Sequence, residues 1–246
     1  MKNATLLSLL CLGAWSGATS ASTIAGTSFE EPQAVGGQYT DTLPADTDHA
    51  LLDNAGEPIV NYTSIGGELG FSSFYTNTRD SSGLTDGDFV GVTDFTGDVG
   101  AYTDGLQGFQ ISDPDGLMTI TFDTVDLSGV TDATLTVDLF VNETGYEDGD
   151  RVRVWVEGDG GVVDLIDTAG SDIDDLGIEG VWLNLIADLS GFTMATLLFE
   201  GESNSSAESF YLDNVAFSGA AAVVPVPAAA WLLLGGLGVL GLRRRA

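Results

Sequence analysis

Residues 134–142 read Thr-Leu-Thr-Val-Asp-Leu-Phe-Val-Asn, and the fold follows from them. Leu135, Val137, Leu139 and Val141 fall on one side, and Thr134, Thr136, Asp138, Phe140 and Asn142 on the other. A period of two is that of a β-strand with one face buried and one face wet or contacting something. Residues 151–157, Arg-Val-Arg-Val-Trp-Val-Glu, repeat the pattern with Val152, Val154 and Val156 on the apolar side. The run Tyr146-Glu147-Asp148-Gly149-Asp150 between them has turn chemistry and reads as a solvated hairpin tip.

The same alternation spreads outward. Met118, Ile120 and Phe122 alternate with Thr119, Thr121 and Asp123, and further strands are expected at 162–167, 181–189, 193–200 and 210–217. Between residues 123 and 213 no helical stripe with caps appears. The segment from Gln33 to Gly108 is rich in Gly, Ser, Thr and Asp. There we expect long loops, strands near 59–65 and 88–95, and a short helix near His49 to Asp53. Many short strands with recurring turn signals predict an all-β fold, a two-sheet antiparallel sandwich of the jelly-roll type. About 200 residues suit one such domain undivided, expected over 22–219.

The two ends of the chain differ from this middle. Met1 to Ala21 has Lys2, an apolar run from Leu6 to Trp15 and small residues at Ala18, Ser20 and Ala21, the layout of a signal peptide helix cut by signal peptidase. Cys11 leaves with it, so the mature chain has no thiol chemistry. Residues 220–246 contain Val224-Pro225-Val226-Pro227-Ala228, an apolar run to Leu242, and Arg243-Arg244-Arg245. Proline interrupts regular structure. A helix rising 1.5 Å per residue needs about 20 apolar residues to span a bilayer, which is met by counting back to Ala220. The arginines should stay cytoplasmic. This tail resembles the PEP-CTERM sorting signal of bacterial exported proteins, with Val226 in place of the usual Glu. The resemblance implies a membrane-anchored intermediate held by a single transmembrane helix. It further implies an exosortase-type processing enzyme as partner, cleavage near the Pro motif, and a final place at the cell surface or outside the cell.

Charge excludes several functions. All 37 acidic residues lie between Glu30 and Asp213, opposed there only by Arg79, Arg151 and Arg153. Such a surface repels nucleic acid, whose phosphates need basic groups, and it favours divalent cations. The 43% hydrophobic content and 12 Phe are those of a packed domain. His49 is the one histidine, and Lys2 the one lysine. Histidine-rich metal sites and Schiff-base lysines are therefore excluded from the mature domain. A glycoside hydrolase needs only two carboxylates, but with so many present no pair stands out. The expectation is a protein without catalytic activity.

Two candidate sites follow. Thr27-Ser28-Phe29-Glu30-Glu31-Pro32 and Phe210-Tyr211-Leu212-Asp213-Asn214-Val215-Ala216-Phe217 read as first and last strands lying side by side. Tyr211, Val215 and Phe217 share a face with Asp213. If that face is inward, a buried carboxylate needs a cation or several donors. If Phe210 and Leu212 face inward, Asp213 lies on the surface. The pair resembles the galactose-binding-like jelly rolls of carbohydrate-binding modules, which implies a structural calcium held by Glu30 and Asp213. The second candidate is the outer face of the expected hairpin, where Phe140, Arg151, Arg153 and Trp155 combine aromatic and hydrogen-bonding groups suited to a saccharide. An extracellular polysaccharide is the partner that face would take.

Overall fold

The computed structural model describes residues 21–222, apart from 45, 80, 81, 86 and 87. The signal-peptide segment before Ala21, the Pro motif (Val224, Pro225, Val226, Pro227, Ala228), the apolar run after it and the arginine triplet lie outside the described residues. Among the described residues no helix is long and apolar enough to cross a membrane. Residues 21–222 form one compact unit.

Its strands, in chain order, are β1 (Ser22–Thr27), β2 (His49–Ala50), β3 (Phe71–Thr76), β4 (Phe89–Thr93), β5 (Gly108–Ser112), β6 (Gly116–Phe122), β7 (Val125–Asp126), β8 (Val130–Val141), β9 (Arg151–Gly158), β10 (Gly161–Asp167), β11 (Trp182–Asp188), β12 (Met194–Ser203) and β13 (Ser209–Ala221). The first sheet runs β11-β8-β13-β5-β4, and the second β10-β9-β12-β6-β3-β2, all pairs antiparallel. The chain passes repeatedly between them, as in a jelly-roll sandwich. The core lies between the sheets. Leu135, Val137, Leu139 and Val141 enter it from β8, Val152, Val154 and Val156 from β9, and Met118, Ile120 and Phe122 from β6. The rings of Phe29, Phe71, Phe109 and Phe122 meet at centroid distances of 5.4–6.2 Å. Each buried ring contributes about 1.5–3 kcal/mol through lost contact with water.

Three expectations are corrected here. The stretch from His49 to Asp53 is not helical. His49 and Ala50 pair with Tyr75 and Phe74, while Asp53 Oδ1 accepts the N–H groups of Val60 and Asn61 at 3.0 Å. The only helix among the described residues is a 3₁₀ turn at Ile173–Asp175. The span 59–65 makes bridges rather than a strand, Tyr62 pairing with Phe71 and Ile65 with Glu68. Finally, β13 continues through Ala221, past the boundary expected at 219, because Ala220 and Ala221 pair with Thr131 and Val130.

β13 has β8 along one flank. On the other flank β5 pairs with Ser209–Leu212 and β1 with Val215–Gly219, end to end. At the join, Asn214 adopts φ 50 and the register with β8 shifts between Asp213 and Ala216. Asparagine is among the few residues that visit the left-handed region readily. The bulge reverses the phase of the strand. Phe210 and Leu212 point into the core before it, and Val215 and Phe217 after it. Neither orientation expected from sequence describes Asp213, which sits on the outer side and is nonetheless 0% exposed.

β1 packs tightly here. A Cβ on Gly26 would run into the carbonyl oxygen of Val215 and lie 3.3 Å from Ala216 Cα. Both are backbone atoms, so relief requires the strands to part. We expect Gly26→Val to destabilise the domain by about 2–4 kcal/mol, read as the midpoint of urea unfolding. An unchanged midpoint would mean that β1 is not held as described.

Candidate functional site

One row of residues crosses the outer face of the first sheet in register: Trp182, Phe140, Tyr211, Gln110, Gly91. The three rings of this row lie under loop 94–107, packed with Val99 and Tyr102. Phe140 contacts Trp182 at 5.4 Å and Tyr211 at 6.2 Å between centroids. Polar groups moor the loop above them. Trp182 Nε1 donates to Ala101 O at 2.9 Å, Tyr102 Oη to Phe95 O at 2.8 Å, and Tyr211 Oη to Asp98 Oδ2 at 2.6 Å. Burial, with the Asp98 carboxylate alongside, pushes the Tyr211 phenol far above its ordinary value. The hydroxyl therefore stays a donor.

The carboxylates of Glu30 and Asp213 moor the other end of the loop. Asp213 Oδ2 accepts Thr103 N at 2.7 Å, Thr103 Oγ1 at 2.9 Å and Asp104 N at 2.9 Å, while Oδ1 accepts Asn214 N at 2.7 Å. Glu30 Oε1 accepts Leu106 N at 2.6 Å and Gln107 N at 2.9 Å. Glu30 is aimed there by its neighbour. Phe29 takes φ 58, which sends its ring into the core. The two residues paired for calcium thus converge on one loop, as acceptors of its N–H groups.

Where the loop ends, the row is uncovered. A groove of about 490 Å³ opens over Gln110, bounded by Phe89, Phe95, Asp94, Asp98, Ser206 and the Gly36-Gly37 turn. Gln110 is 5% exposed, yet its amide has no hydrogen-bond partner among the described residues. Phe95 is 50% exposed and stands on Gly97, where any Cβ would strike its ring. Its backbone is fixed on both sides, by Tyr102 Oη on its carbonyl and by its own N–H to Thr93 Oγ1 at 3.1 Å. A half-exposed aromatic ring, an amide without a protein partner and two carboxylates thus line one cavity, the composition of a candidate ligand pocket.

The face expected to carry Phe140, Arg151, Arg153 and Trp155 does not exist as one surface. The connection after Val141 crosses to the second sheet instead of turning back, so β8 and β9 belong to different sheets. Phe140 is buried under the loop. Trp155 lies on the far sheet, beneath the Arg153 guanidinium at 4.2 Å from its centroid. Arg153 also reaches Asp164 at 2.7 Å and Asp167 at 3.7 Å, and Arg151 reaches Glu202 at 3.3 Å. Asp138, an obvious partner for them on a hairpin, instead accepts from Asn184 and Asn214.

The tip expected to be solvated is also different. Tyr146 stacks on Phe210, and Asp150 is buried against Arg79 Nη2 at 2.7 Å. Carboxylate oxygens of Glu147, Asp150 and Glu208 lie within 4.8 Å of one another.

No family model matches the chain, and no curated sequence does. Among solved structures it is similar to TmCBM61 in complex with beta-1,4-galactotriose, at 11% identity and TM-score 0.39 over 60% of this chain and 86% of that one. It is similar to a family 16 carbohydrate binding module at 16% identity and TM-score 0.34, over 52% and 84%. It is also similar to the K3 cleaved adhesin domain of Lys-gingipain from Porphyromonas gingivalis w83, at 13% identity and TM-score 0.37, over 81% and 99%.

Proposed function

We propose that this domain is a non-catalytic saccharide-binding module of an exported protein, working at the cell surface or in an extracellular polysaccharide. The observation that carries the proposal is the groove in which the unpaired Gln110 amide lies below the exposed Phe95 ring. An aromatic face takes the C–H side of a sugar ring, and the amide and carboxylates take its hydroxyls. Export rests on the two terminal segments, and sorting by an exosortase-type enzyme on the Pro motif and arginine triplet.

Phe95→Ala should weaken binding to whichever saccharide a glycan array identifies by about tenfold, since stacking contributes roughly 1 kcal/mol or more. Because Phe95 is half exposed, the melting temperature should stay unchanged. A wild type that binds no glycan on the array would overturn the proposal. Turnover of the bound saccharide would overturn its non-catalytic part.

A structural calcium between Glu30 and Asp213 belongs to the same proposal, supported by the convergence of two carboxylates from opposite chain ends on loop 103–107. Thermal melts with calcium and with chelator test it. A bound ion raises the midpoint by mass action, whereas coincident curves would leave the carboxylates to the loop alone.

A further inference from the structure

The groove carries charge of one sign. Asp94 and Asp98 stand on its rim, and every described cation is committed elsewhere. Arg79 pairs with Asp150 and Glu202, Arg151 with Glu202, and Arg153 with Asp164 and Asp167, all on the second sheet or beside it. His49 Nε2 lies 2.8 Å from Asp41 Oδ2. No lysine follows Lys2. An anionic sugar would therefore meet two carboxylates and no counter-charge, inside the field of a strongly acidic domain. A neutral sugar would leave the carboxylates hydrated at the rim. A sugar bearing an ammonium group would be attracted from a distance and paired on arrival, with Tyr211 Oη holding Asp98 in place.

We propose, resting on the saccharide-binding reading above, that the ligand of this groove is an amino sugar with a free ammonium group. Its ring stacks on Phe95, its hydroxyls meet Gln110, and its ammonium is held by Asp94 and Asp98.

The test is calorimetric titration of the purified full-length protein with three probes: a glucosamine hexasaccharide, its fully N-acetylated counterpart and an oligouronate. The free amine should bind about fivefold tighter than the acetylated form at low salt, which is about 1 kcal/mol, the upper end for an exposed ion pair. Raising salt from about 0.01 M to about 0.5 M should erase the preference, because exposed charges are screened. The oligouronate should not bind. Asp94 makes no structural hydrogen bond among the described residues, so Asp94→Asn should keep the melting temperature and lower the preference about two- to fivefold. Equal or better binding of the acetylated sugar or the uronate, still lost in Phe95→Ala, would overturn the charge inference and leave the saccharide reading standing. A preference untouched by Asp94→Asn would remove it from this groove. Failure of all three probes and of the glycan array would overturn both.

Discussion

Asp213→Ala is expected to destabilise the domain by about 3–5 kcal/mol. Four donors depend on this carboxylate: Thr103 N, Thr103 Oγ1, Asp104 N and Asn214 N. Removing it deprives three backbone N–H groups of the acceptor that the buried Asp213 supplies, each worth about 1–3 kcal/mol where it stays unsatisfied. The simple sum is not reached, because the emptied space admits water and the loop can lift. That lifting has its own signature. Loop 94–107 roofs the Phe140–Tyr211–Trp182 rings and supplies Phe95, so amide exchange at Thr103 and Asp104 should quicken and saccharide binding should fall with stability. Asp213→Asn keeps the shape and can keep its oxygen on the Thr103 and Asp104 donors, setting its NH₂ only against Asn214 N, and should lose less than alanine. A loss below about 1 kcal/mol by guanidinium unfolding would show that the loop does not depend on this anchor.

The second large effect is a pH dependence opposite in sign to that of ordinary salt-bridged acids. The Glu208 carboxyl is pushed up to about 7. Burial is the main cause, opposed by the Asn204 N–H and reinforced by the neighbouring Asp150 and Glu147 carboxylates. Burial also raises the Asp150 carboxyl, although Arg79 counters it. A raised acid binds its proton more tightly in the folded than in the unfolded chain, where Glu titrates near about 4.3. The resulting stabilisation is complete below that value and is lost as pH climbs toward 7. Urea midpoints should therefore fall between about pH 4.5 and pH 7.5. Glu208→Gln keeps an acceptor for Asn204 and removes the charge. It should flatten this slope and raise stability at pH 8 by an amount on the order of 2 kcal/mol, with little change at pH 4. That figure is less than the full shift implies, because water beside the exposed Glu147 screens part of the repulsion. Asp159, held down to about 2 by Thr193 and Met194, acts in the opposite sense but only at lower pH. A variant with the wild-type slope would mean that Glu208 does not hold the proton.

Much of the sandwich is legible in the sequence, and the reason is periodicity. Leu135 to Val141 and Val152 to Val156 reveal their inner faces because each strand is half buried. Alternation tells which way a side chain points, but not which strand lies next to it. For that reason Phe140 and Trp155, near each other in the chain, read as one surface, although the segment between them changes sheets. Asp213 escapes sequence reasoning for a related cause. Both expected orientations assume an unbroken strand, and the left-handed Asn214 breaks it. The groove is hidden more deeply. Its members come from segments 36–37, 89–98, 110 and 206, and no pattern within any one of them points to a cavity. One signal is there: Gln110 interrupts Phe109 and Ile111 in the middle of a core strand, where a long amide needs a purpose.

The arrangement around β13 also bears on force. The strand starts beside the groove, whose rim includes Ser206, and ends at Ala221, just past the pairing of Gly219 with Ser22. Tension between a gripped ligand and the departing chain would travel lengthwise down roughly 40 Å of one strand. Its ladders to β8, β5 and β1 would be strained together in shear rather than opened one rung at a time.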